Sequence, residues 1–261
     1  MKNSPNLFTF IKEDNLEGVR SCINEGCNIN RIHNNETILN WAIRHRNKKI
    51  IKLLLDSGAN INLKNGHGYT AFLTACLYSS LDIVQMILER DGCDINGVDN
   101  FNRTALYNVI WSGKIEFVKY LIARGAMVDK NGSYTPLMVA AFRGRFGLVK
   151  LLLEYQANPN VYNDFSFETA LSLAAVAHHT EIVRLLVGYS SAMVLRYALR
   201  ESSGECFDII LGEILRRRES VYTLLLCHHQ SRKNPCLHYD HNQPLRCIPP
   251  EIVKQICLAM N

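Results

Sequence analysis

Two groups of residues have the types and spacing that could do chemistry. Cys227, His228, His229, Cys236, His238, His241 and Cys247 bring seven thiols and imidazoles into 21 residues, the donors that enclose zinc in tetrahedral sites. Their spacing from Cys227, C-x8-C-x-H-x2-H-x5-C, matches no finger pattern and contains no paired C-x2-C ligands. No metal and no cofactor is therefore assigned. His178-His179 form the second group, an adjacent imidazole pair between two short apolar helices, where a histidine is expected to bond the backbone of its own unit. No Gly-rich phosphate loop, no Gly-x-Ser-x-Gly elbow and no His-Glu-x-x-His is present, and Asp and Glu fall mainly at solvent-facing positions. No catalytic residue is assigned and the chain is expected not to be an enzyme.

The elements around the histidine pair recur along the chain. Thr135 to Leu153, TPLMVAAFRGRFGLVKLLL, opens on Thr-Pro-Leu at a helix start, runs through Val139, Ala140 and Ala141, breaks at Gly144 and resumes as a second apolar helix from Leu148. The opening is found again at Thr37-Ile-Leu, Thr70-Ala-Phe, Thr104-Ala-Leu and Thr169-Ala-Leu, with separations along the chain of 33, 34, 31 and 34 residues. The second helix returns in step, as in Ile50-Ile51-x-Leu53-Leu54-Leu55 and Ile182-Val183-x-Leu185-Leu186-Val187. A turn closes each of four units: Gly58-Ala59-Asn60-Ile61-Asn62, Gly92-Cys93-Asp94-Ile95-Asn96, Gly125-Ala126-Met127-Val128-Asp129 and Gln156-Ala157-Asn158-Pro159-Asn160. A pair of short helices cannot bury its apolar face alone, so such units must stack. The three patterns in fixed order resemble the ankyrin repeat family, whose unit reads T-P-L-H-x-A-A, a helix ending L-L-L, then G-A-x-x-N. The resemblance implies an all-α solenoid of stacked helix-turn-helix units joined by short hairpin loops.

In chain order, residues 1–30 read as an N-terminal capping unit with an outer helix over Leu16 to Ile23. Five full repeats follow, at about 31–62, 64–96, 98–129, 130–160 and 163–190. The hairpin before Thr135 is about three residues short, and Asp164 to Glu168 lacks the glycine or asparagine of the other fingers; both are expected to depart from regular geometry. Residues 191–228 read as a degenerate sixth repeat, with Ser191-Ala-Met in place of the usual opening, and a separate capping helix from Gly212. Beyond it, 229–261 is a Pro/His/Cys-rich tail with a short terminal helix after Pro250.

The bulk properties narrow the setting. Hydrophobic residues make up 48% of the chain, enough to bury helix faces between neighbours. No apolar run of 18 residues occurs and the N-terminus reads as no secretory leader, so no membrane association is expected. Nine cysteines is an odd number, and Cys27, Cys76 and Cys93 stand where the repeat takes a small apolar residue. Such thiols belong to a reducing interior, and a cytoplasmic location is expected. The net charge of +5 is dispersed apart from Arg216-Arg217-Arg218, which is no nucleic-acid footprint. A monomer is expected.

The resemblance also implies where a protein partner sits: on the concave side of the inner helices and at the hairpin tips. Carried over residue by residue, these positions are Trp41, Arg44 and His45; Thr74, Leu77 and Tyr78; Asn108 and Trp111; Phe142 and Arg143; and Val176, with Phe101, Arg103, Tyr134, Phe165 and Phe167 at the tips. Aromatic and arginine side chains in a row have the composition of an interaction hot spot. Ile248, Pro249, Glu251, Ile252 and Ile256 resemble the opening of an F-box-like segment, Leu-Pro-x-Glu-Ile, which closes some ankyrin arrays. That resemblance implies recruitment of the Skp1 subunit of a cullin ubiquitin ligase, with the terminal helix packing back on the last repeat as the alternative.

Overall fold

The computed structural model describes residues 7–130 and 134–217. The chain opens with α1 (Leu7–Lys12) and α2 (Leu16–Asn24), then a hairpin of β1 (Ile32–His33) and β2 (Glu36–Thr37). Five helix pairs follow: α3 (Ile38–His45) with α4 (Lys48–Asp56), α5 (Ala71–Tyr78) with α6 (Leu81–Leu88), α7 (Ala105–Ser112) with α8 (Ile115–Ala123), α9 (Pro136–Phe142) with α10 (Phe146–Glu154), and α11 (Ala170–Val176) with α12 (Thr180–Val187). A sixth pair is α13 (Ala192–Glu201) and α14 (Gly204–Arg216).

Each recurring threonine starts an inner helix for the same reason. Thr37, Thr70, Thr104, Thr135 and Thr169 hold extended backbone, and each hydroxyl accepts from the N–H three residues on, at 3.1–3.3 Å. That satisfies a donor the helix leaves unpaired. Ser191 does the same for α13. After α2, α4, α6, α8 and α10 a left-handed residue turns the chain back: Gly26, Gly58, Gly92, Gly125 and, without glycine, Gln156; after α12, Gly188 stays right-handed.

The units stack in two layers. The inner helices α3, α5, α7, α9, α11 and α13 pack in that order, and the outer helices pack on their own inner partner, with α2 on α4, α10 on α12 and α12 on α14. The apolar interior runs from Leu7 to Ile214 as one strip, with Phe72 and Leu106 its large central side chains. Side chains of the closing turns join one unit to the next. Asn60 N–H donates to Asn30 Oδ1 at 2.7 Å, Asn62 Nδ2 to Gly92 O at 2.7 Å, Met127 N–H to Asn96 Oδ1 at 2.8 Å, Asn158 N–H to the Asp129 carboxylate at 3.1 Å, and Ser191 N–H to Asn160 Oδ1 at 2.6 Å.

The fingers differ in chemistry. The first is a true β-hairpin, pairing Ile32 with Thr37 and His33 with Glu36 around Asn34-Asn35, both at positive φ, as a two-residue turn between twisted strands requires. The second, third and fifth are wound around one acceptor each. Asn65 Oδ1 takes the N–H of His67 and Tyr69, Asp99 Oδ1 those of Phe101 and Arg103, and Asn163 Oδ1 those of Phe165 and Ser166. The fifth finger departs from regularity as expected: it has one residue more between this acceptor and the capping threonine, and Phe167 takes the left-handed site occupied by Gly68 and Asn102 elsewhere. The short fourth finger falls on 131–133, outside the described residues.

Two expectations are corrected. His179 bonds backbone, but that of the preceding unit: its Nε2 lies 3.0 Å from Phe142 O. Gly144 makes room for it, since a Cβ there would stand 2.6 Å from the imidazole. Gly212 begins no separate helix; α14 runs through it to Arg216. Near its end Glu213 receives Arg216 and Arg217 at 2.6–2.8 Å. The Arg216 bond first, then the Arg217 bond against a cost of burial, lowers its carboxyl to about 2. Arg217 also donates to Val187 O and Ser190 O, both at 2.7 Å, which fastens α14 to the end of α12.

Candidate protein-binding surface

Four successive inner helices carry an exposed apolar side chain at their last or next-to-last residue: Tyr78, Trp111, Phe142 and Val176. The opposite sides of the same helices are buried, so these residues reach solvent only because they lie at the last turn. Trp111, 43% exposed, stacks on Tyr107 with ring centroids 6.4 Å apart and planes 7° from parallel. The Arg143 guanidinium lies 4.4 Å over the Trp111 ring, and that of Arg44 lies 4.6 Å over Tyr78. Each arginine therefore covers an aromatic of the adjacent unit.

The remaining candidates divide by what already holds them. Trp41 does not stand free: its Nε1 donates to Phe8 O at 3.2 Å, and its ring meets those of Phe8 and His45 edge-on. Trp41 thus docks α1 on the first repeat, with His45 against its other side. Thr74 and Asn108 are not available to a partner as expected, being 1% and 6% exposed; Thr74 Oγ1 and Asn108 Nδ2 have no hydrogen-bond partner. At the tips, Phe101 and Phe165 are exposed, Phe165 by 90%. Arg103 is clamped by Asp99 at 2.8 Å, donates to Tyr69 OH at 3.0 Å and stacks on Phe101. Tyr134 donates its hydroxyl to Glu168 at 2.8 Å, and that bond, then burial, raises its pKa.

Some contributors escaped the sequence reading. Lys114 Nζ donates to Cys76 O and Leu77 O at 3.0 and 3.1 Å, and Arg46 Nε to Tyr78 O at 2.8 Å. They cap α5, the one of the five inner helices before α13 whose C-cap residue, Ser79, is followed by no left-handed turn. Burial lowers the Lys114 pKa. Tyr107 beneath Trp111 was legible only as an i,i+4 pair. At the N-terminal end Lys12, His45, Arg46, Lys48 and Lys49 line a depression of about 500 Å³ with Asp14 the only acid.

Three thiols are held back from reaction by their surroundings. Burial raises Cys22 and Cys93 to about 11 and Cys76 further, so each stays protonated and acts as a small apolar group. Among the described residues no group of His, Cys, Asp and Glu could hold a metal ion, and no helix is long and apolar enough to cross a membrane. The tail cluster from Cys227 to Cys247 and the segment Ile248 to Ile256 lie outside the described residues.

The comparisons agree with this architecture. The family model described as ankyrin repeats (3 copies) matches residues 7–99 and 72–163. The chain is 27% identical to the putative ankyrin repeat protein YahD of Escherichia coli over 197 residues, 72% of this chain and 97% of that one. It is 30% identical over 146 residues to the putative ankyrin repeat protein FPV222 of fowlpox virus, covering 55% of this chain but only 19% of the viral one. Among solved structures, the ankyrin repeat domain of Bcl-3 superposes with a TM-score of 0.70 at 25% identity, over 78% of this chain and 96% of that domain. With threonine-capped inner helices, left-handed closing turns and a family match spanning residues 7–163, the chain belongs to the ankyrin repeat family.

Proposed function

We propose that this chain is a non-catalytic, cytoplasmic protein-binding module, a monomer whose partner lies along the inner-helix ends and finger tips. Neither nucleic acid nor a membrane is its target. Ankyrin repeats generally act as protein interaction modules, and one observation carries the reading here: Tyr78, Trp111, Phe142 and Val176 expose apolar area at matching ends of four consecutive helices. A row of that kind removes a large area from water when a partner covers it, at little rotamer cost.

The test is a random peptide library displayed on phage and selected against the purified chain. Peptides that bind the native chain and lose about 1–2 kcal/mol on Trp111→Ala or Tyr78→Ala, with the melting temperature of the array unchanged, are the expected result. Enrichment indifferent to both substitutions rejects the surface.

A second reading has support from the Ile248-Pro249-x-Glu251-Ile252 resemblance and from similarity to a chain named E3 ubiquitin-protein ligase XBAT33 of Arabidopsis thaliana, 27% identical over 165 residues. In it the repeats hold a substrate and the tail, with Ile256, holds a Skp1-type ligase subunit. Skp1 retained by the full chain and lost when the chain ends at Gln243 is its expected outcome; no retention by either removes it.

A further inference from the structure

We propose that the two arginine–aromatic stacks, Arg44 on Tyr78 and Arg143 on Trp111, form a paired carboxylate-binding site for an extended acidic segment of a partner protein. The proposal rests on the protein-binding reading above and names the chemistry of the partner.

The geometry of a guanidinium decides the argument. Stacking on a ring uses the face of the cation, and its N–H donors all lie in the plane, so a stacked arginine can still grip a carboxylate side-on. The aromatic also holds the fork still, so little freedom is lost when an anion arrives. Arg143 stands 4.4 Å over Trp111 and, among the described residues, has no carboxylate within ion-pair distance; Arg44 stands 4.6 Å over Tyr78 with one long contact, 3.4 Å, to Glu36. Glu36 itself accepts from Asn65 Nδ2 at 3.0 Å.

The charges around the stacks favour an acidic occupant. Besides Glu36, Asp99 is engaged by Arg103 and Asp82 by Lys48. The basic depression beside His45 extends the positive field past the first stack. An anionic segment meets more cations than acids along this end of the strip, which aids both encounter and selectivity.

Spacing adds a constraint. Arg44 comes from the unit before Tyr78 and Arg143 from the unit after Trp111, so the two cations flank rings on adjacent helices, and one helix spacing plus the stacking distances of 4.6 and 4.4 Å puts them roughly 17–19 Å apart. A polyproline II segment advances about 9 Å per three-residue turn, which returns a side chain to the same face at every third position. The site therefore selects carboxylates six residues, or two such turns, apart in an extended chain, a pair that a Glu-Pro-Pro repeat also contains.

The probes are the labelled peptides (Glu-Pro-Pro)4 and its uncharged isostere (Gln-Pro-Pro)4, titrated against the full chain by fluorescence anisotropy, with a 12-nucleotide oligothymidylate alongside. The glutamate peptide is expected to bind about tenfold tighter than the glutamine one. Arg143→Met should remove most of that difference. Arg124→Met, which deletes a cation stacked on Tyr120 at 5.0 Å of the outer layer, should leave it unchanged. Equal affinity for the two peptides, absence of binding by either, or equal effects of the two arginine substitutions overturns the proposal, and so does oligothymidylate binding that is tighter than the peptide's and Arg143-dependent. Trp111-dependent phage peptides without acidic residues at that spacing would sink this inference alone; the absence of any Trp111-dependent peptide would sink the protein-binding reading with it.

Discussion

Phe72→Ala is expected to lower the unfolding free energy of the array by about 3–5 kcal/mol. The side chain is 1% exposed and sits on α5, which packs against α3, α6 and α7 at once. Truncation removes the transfer energy of the ring and leaves a void that three helices must close together, which close-packed helices do only in part. The position in the array adds to the effect. In a linear stack each unit is stabilised only by its neighbours, so a weak second repeat separates the N-terminal units from the rest. Urea denaturation followed by circular dichroism should show an earlier and broader transition. A loss under 1 kcal/mol would mean that the interior around α5 is not packed as described. Phe165→Ala, at an exposed tip, should change stability by no more than about 0.5 kcal/mol.

Asp99→Ala should cost about 2–4 kcal/mol, although it deletes a surface-loop residue. Its side chain is completely buried, one oxygen accepting from two backbone N–H groups and the other from Arg103. Alanine leaves those donors without an acceptor, so the finger must open to water. The charge loss alone is discounted, because Arg103 is about one-third exposed and can be rehydrated. Asp99→Asn keeps the backbone acceptor, as Asn65 and Asn163 do in their own fingers, and should recover about half of the loss. The same denaturation experiment on both variants decides it; identical losses would place the energy in the ion pair and leave none for the loop.

Most of the fold was legible because one physical need repeats. Thr37, Thr70, Thr104, Thr135 and Thr169 each answer the same unpaired helix donors, and the apolar residues after them fall at helical spacing. What the sequence hid is decided between units. Trp41 stands four residues after its capping threonine, in register with the buried Thr74 and Asn108, and Trp111 seven after its own, at the exposed last turn. That Trp41 is spent on Phe8 depends on α1, which covers the first inner helix. Lys114 reads as an ordinary N-cap position, and its role depends on Ser79 thirty-five residues earlier failing to turn left-handed. The pairing of Arg143 with Trp111 escaped for the same reason, since it joins positions 32 apart in two different units.

The asparagine and aspartate bonds between closing turns bear on the gene as well as the protein. Four of the five links run from a backbone N–H of one closing turn to a short Asn or Asp side chain of the turn before it, and only Asn62 donates to Gly92 O, so Asn30, Asn96, Asp129 and Asn160 are interchangeable as acceptors. A recombination event that deletes or duplicates one whole unit leaves ends that still match. An event that deletes half a unit leaves a turn with nothing to grip. Descendants of this coding sequence should accordingly vary in length by whole multiples of the repeat, and seldom by fractions of it.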